Sequence, residues 1–100
     1  MGRVIRARPV SRDLDRVFRD VCENNGVDVA SAQLNRIESV FHRLSAFPRL
    51  GRDRSDLRPG LRTFSVKPWQ VIYRLTGEDV VILRILDGRM NLAAQFGKKT

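Results

Sequence analysis

Residues 69 to 87, "WQVIYRLTGEDVVILRILD", limit the folds open to this chain more than any other stretch. Two runs rich in β-branched, aromatic and aliphatic residues, Trp69 to Leu75 and Asp79 to Asp87, are separated only by the turn "TGED" at 76 to 79. So short a link makes the runs antiparallel neighbours, because a parallel pair needs a crossover of about a dozen residues. A third run, Arg62 to Val66, reaches the first through Lys67-Pro68, a tight connection. The C-terminal half is therefore a three-stranded antiparallel sheet, and its cover must come from the N-terminal half.

That half reads as two helices. Pro9 suits a first helical turn, where its missing N–H costs nothing. Val10, Leu14, Val17, Phe18, Val21 and Cys22 then recur with the spacing of an amphipathic helix. Asn24-Asn25-Gly26 ends it, with Gly26 available for a left-handed cap. A second helix is expected from about Val29 to Ala46, with Ala30, Leu34, Ile37, Phe41 and Leu44 as its inner stripe, widened by Val40. The short link makes an antiparallel helix hairpin. Before it, Arg3 to Arg8 alternates weakly and suits an edge strand. The expected fold class is α+β, in the order β-α-α-β-β-β, as one domain spanning 1–100 with a tail from about 88 to 100. "MGRVIRAR" lacks the apolar core of a signal peptide and no run is long enough for a membrane helix, so a cytoplasmic protein is expected. Cys22 is the only cysteine and lies on the apolar face of its helix, so packing is its expected role; neither a metal nor another cofactor is expected.

Period-two alternation separates the faces of the sheet. Trp69, Val71, Tyr73 and Leu75 share one apolar side; Gln70, Ile72 and Arg74 share the other. In the next strand Val81, Leu83 and Ile85 oppose Val80, Ile82, Arg84 and Leu86. The simplest assignment packs the first set of each strand under the helices. Arg74 and Arg84 then project from the bare face among Ile72, Val80, Ile82 and Leu86. An apolar area of that extent marks a binding site, unless the tail folds back over it through Leu92 and Phe96; partner binding is the favoured reading of the two.

The formal charge is +8, and 16 of the 19 basic residues are arginine. Arginine makes planar, bidentate contacts with carboxylate and phosphate, so an acidic partner is expected, although a GC-rich genome also raises arginine counts. Arg54, Arg58 and Arg62 recur every four residues, yet Pro59-Gly60 interrupts any helix there. They form a basic loop running into a strand, either as a docking rim or paired locally with Asp53 and Asp56. Arg62 falls on the core side by alternation but can turn outward at the strand's first residue.

Acid–base catalysis finds little support in these residues. His42 lies on the second helix, away from the sheet face, and Tyr73 points into the expected core. Arginine exchanges protons poorly near neutral pH, and Asp87 has a salt bridge to Arg89 or Arg84 as its simplest role. No catalytic residue is assigned.

The order of elements, with "RDL" at 12–14, "FPRLGRDRSDLRPGLRTFSV" at 47–66, "VIYRL" at 71–75 and "ILRILDGRMN" at 82–91, resembles the RelE/ParE toxin superfamily, and the ParE branch more than the RelE branch. The resemblance implies a bacterial toxin that binds and poisons DNA gyrase without chemistry of its own, neutralised by a cognate antitoxin in a hetero-oligomer. The alternatives are a RelE-like ribosome-dependent mRNA endonuclease and a non-toxic basic binding protein. On the leading reading an acidic antitoxin lays apolar side chains across Ile72, Ile82 and Leu86 and carboxylates against Arg74 and Arg84. Gyrase is met by Arg52, Arg54, Arg58 and Arg62 and by the tail from Arg89 to Lys99, including Met90 and Asn91. The chain departs from the ParE pattern at Asp87, where histidine is common, and at Met90-Asn91, where Arg-Asp is usual.

Overall fold

A computed structural model describes residues 2–96. The elements in chain order are β1 (Val4–Arg6), α1 (Pro9–Asn25), α2 (Val27–Ala46), β2 (Arg52–Asp53), β3 (Leu61–Val66), β4 (Trp69–Thr76), β5 (Asp79–Asp87) and α3 (Leu92–Phe96). The α+β architecture is the one expected: an N-terminal strand, a helix hairpin and a multi-stranded sheet. The five strands lie in the order β1-β5-β4-β3-β2. β1 runs parallel to β5 at the edge, and every other pair is antiparallel. The two-residue β2, inside the basic loop, extends the sheet beyond the strands read from the sequence. Among the described residues no helix is long and apolar enough to cross a membrane.

Local chemistry explains the joints. Pro9 opens α1, and Gly26 alone links the two helices at φ 88°, its N–H closing α1 on the Cys22 carbonyl at 2.9 Å. A side chain at that φ would be strained, so glycine makes the hairpin. Between β4 and β5 only Gly77 has positive φ, 62°, as a type II′ hairpin requires of its first central residue. The Lys67-Pro68 peptide joining β3 to β4 is cis.

The main core lies between the helix hairpin and one sheet face. Val10, Val17, Ile37, Val40, Phe41 and Leu44 pack there on Val66, Trp69, Val71, Tyr73, Val80, Ile82 and Ile85. The assignment for β4 holds, but that for β5 is corrected. Ile72 pairs with Arg84 while Tyr73 pairs with Ile82, so Leu83 is an extra, bulged residue. Alternation changes phase across a bulge. Val80 and Ile82, expected on the bare face, are fully buried under the helices, whereas Leu83 packs with the opposite cluster. That opposite face is covered too: Ile72, Leu86, Leu57 and Leu61 form a second apolar cluster with Leu92 and Phe96 of α3. The tail does fold back as far as Phe96.

Candidate partner-binding surface

The second cluster is held by contacts from both ends of α3. Asn91 accepts the N–H groups of Ala93 and Ala94 at 3.0 and 3.4 Å, a side-chain N-cap. At the far end Arg58 donates Nε to the Phe96 carbonyl at 3.1 Å and lays its guanidinium 5.5 Å from the ring centroid. Arg58 therefore fastens the strap across the sheet. Between β5 and α3 the chain turns on Asp87, which accepts the Arg89 backbone N–H at 2.9 Å and two guanidinium bonds at 3.1 and 3.0 Å. Those bonds hold the Asp87 carboxyl below the usual aspartate value and raise Arg89. The Asp87–Arg89 bridge offered by the sequence is present.

Arg84 does not project from this face as expected. It donates Nε and Nη2 to Asp13 of α1 at 2.8 and 3.0 Å, and the carboxylate's hydrogen bond pushes Arg84 further up. Asp13 is 1% exposed and also accepts Arg16 at 2.8 Å and the backbone N–H of Ile85 at 2.9 Å. The reason is geometric. β1 pairs only with Val80–Ile82, so the outer edge of β5 has no strand neighbour at Ile85. Asp13 supplies the missing acceptor, and its charge draws in Arg84. Sequence reasoning assigned Asp13 no role. The signal was an acid three residues after Val10 and four before Val17, on the apolar stripe of α1.

The other nominated residues separate into three groups. Ile72 and Leu86 belong to the face but lie beneath α3, and Ile82 belongs to the main core. Arg54 and Arg62 serve the loop itself. Arg54 grips Asp56 through two bonds of 3.0 and 3.1 Å, and Asp53 accepts both the N–H and hydroxyl of Ser55. Those contacts lower both carboxyls. Arg62 faces inward opposite Tyr73 and donates to the carbonyls of Gly51 and Arg49 at 2.8 and 3.4 Å. Arg52, Arg74, Arg89 and Met90 are exposed, Arg74 bonding only its neighbour Thr76 at 3.2 Å. Lys98 and Lys99 lie outside the described residues.

For chemistry, the arrangement offers cations rather than proton carriers. The Tyr73 hydroxyl is engaged at both ends, donating to the Pro48 carbonyl and accepting the Gly51 N–H, each at 2.8 Å. Burial pushes its pKa up. His42 is exposed on α2. Among the described residues no three of His, Cys, Asp and Glu gather as metal ligands would.

The element order and hairpin-over-sheet packing are those of the RelE/ParE superfamily of toxins. Residues 4–92 match the family model described as "ParE toxin of type II toxin-antitoxin system, parDE". Toxin ParE3 of Caulobacter vibrioides is 94% identical over 100 residues, which cover 100% of both chains. Toxin ParE1 of Mycobacterium tuberculosis is 32% identical over 80 residues, 79% of this chain and 82% of that protein. A solved structure titled "Chromosomal ParDE TA system from P. aeruginosa" superimposes with a TM-score of 0.76 at 25% identity, covering 87% of this chain and 96% of the other. The chain belongs to the ParE family of toxins of type II toxin–antitoxin systems.

Proposed function

We propose that this toxin arrests growth by binding DNA gyrase and trapping it on cleaved DNA, and that an acidic antitoxin neutralises it by occupying the sheet face now held by α3. The observation that carries the reading is the ParE family match over residues 4–92; the side chains agree with it. The candidate face holds apolar groups and guanidinium groups, and the one tyrosine has its hydroxyl committed to the backbone. A binding poison needs no more than that.

On this reading the antitoxin displaces α3, sets its apolar side chains on Ile72, Leu86 and Leu61, and pairs a carboxylate with Arg74. Ile82 and Arg84 drop out of that surface, because one is core and the other is bound to Asp13. The residues left to meet gyrase are Arg52, Arg89 and Met90, all exposed. Arg54, Arg58 and Asn91 instead shape the loop and α3 that border them. Purified toxin incubated with gyrase, ATP and supercoiled plasmid is expected to accumulate DNA cleaved in both strands. Full supercoiling with no cleaved product would remove gyrase as the target.

A further inference from the structure

The turn after α2 uses buried polar groups to hold two apolar side chains in water. Phe47 is 65% exposed and Leu50 is 40% exposed. The Leu50 N–H donates to the Phe47 carbonyl at 3.0 Å, a β-turn that brings the two Cα atoms within about 7 Å. This backbone is fixed from below. Tyr73, fully buried, bonds both Pro48 and Gly51 through its hydroxyl, and Arg62 bonds the carbonyls of Gly51 and Arg49. Gly51 packs so closely that a Cβ there would lie 2.5 Å from the Tyr73 oxygen.

A loop that only closes the chain has no use for this. An aromatic and an aliphatic side chain, presented on a backbone ordered in advance, make an interface anchor whose ordering cost is met before binding. Three cations border it: Arg43 at the end of α2, Arg49 within the turn and Arg52 just after it are all exposed, against the acids Asp53 and Glu78. A groove of about 410 Å³ joins the turn to the β4–β5 hairpin past Pro48, Arg49, Leu75, Gly77 and Glu78. Arg74, beside Leu75 and opposite Leu61, lies at that same end of the sheet. A chain lying on the α3-covered face can therefore continue round the sheet's end to the turn.

We propose that the Phe47–Gly51 corner is a preformed second anchor for the antitoxin, taking an apolar cluster of that chain on Phe47 and Leu50 and flanking carboxylates on Arg43, Arg49 and Arg52. The inference rests on the antitoxin reading above and extends it to a site that α3 leaves open. A second copy of this chain is a poor occupant, since each carries +8. A phosphate backbone would pair with the arginines but has no pocket for Leu50.

Calorimetric titration of the full-length toxin with its cognate antitoxin tests it. Phe47→Ser combined with Leu50→Ser is expected to weaken binding at least tenfold while leaving the melting temperature unchanged, because both side chains are exposed. Tyr73→Phe, which frees the corner but keeps its side chains, should weaken binding by a smaller factor. Arg74→Glu reports on the sheet face separately. Unchanged affinity in the double variant overturns the corner, and a loss in Arg74→Glu alone then leaves the face reading standing. A loss in the double variant alone upholds the corner and removes the face, and wild-type toxin that does not bind the antitoxin overturns both. Should the double variant melt early, Phe47→Gln and Leu50→Gln, tested singly, carry the same threshold.

Discussion

Asp13 joins α1 to the sheet through a single buried carboxylate, which completes a strand edge and neutralises two arginines. Removing one member of a buried pair leaves the others desolvated without compensation, which costs about 3–5 kcal/mol. Arg84 is 29% exposed in its side chain, so solvent offsets part of that and the low end applies. Asp13→Ala is therefore expected to lower stability by roughly 3 kcal/mol, a fall of about 15 °C in melting temperature for a chain this size. Thermal denaturation followed by circular dichroism measures it, and a loss under about 1 kcal/mol would mean that water replaces the carboxylate. Arg84→Glu belongs to the same account. A second carboxylate against Asp13 damages folding, so weaker antitoxin binding by that variant says nothing about the sheet face. Asp13 was half legible: an acid on an apolar stripe demands a partner, but nothing in the chain order says which of 16 arginines supplies it.

At the level of elements, α3 is the piece whose removal tells most. Its five residues contribute Leu92 and Phe96 to a cluster otherwise made by Leu57, Leu61, Ile72 and Leu86. The main core contains no residue of α3. A chain ending at Asn91 should therefore remain folded, with far-ultraviolet dichroism reduced only by the loss of α3, while exposing an apolar sheet face that binds the dye ANS. ANS fluorescence equal to that of the full chain would show the face closing by itself. The bulge at Leu83 explains why this face was misread at β5. Every residue from Val80 to Leu86 except Arg84 is aliphatic, so either phase of alternation yields an apolar inner side. β4 carried a clear signal, because Gln70 and Arg74 mark its outer side; β5 carried none.

The whole molecule carries a formal charge of +8, and among the apolar features of its described residues are the strap-covered face and the exposed turn at Phe47 and Leu50. Long-range attraction on that scale accelerates encounter with an acidic partner and is screened by salt. Stopped-flow association with the antitoxin is expected to slow at least tenfold between about 0.05 and about 0.5 M NaCl, and a salt-independent rate would mean that the net charge plays no part in encounter. Much of the molecule was determined by the order of residues alone. Helix periodicity, glycine and proline at the joints and two short links dictated a hairpin of helices over an antiparallel sheet, because those signals act within a few residues of one another. Arg54 and Arg89 pair with acids two residues away, but the destination of the guanidiniums that reach across the chain was decided only in three dimensions. Arg58 meets Phe96 across 38 positions and Arg84 meets Asp13 across 71, and such pairings depend on which surfaces the folded chain brings within reach. Local pattern states which side chains want a partner; only packing chooses it.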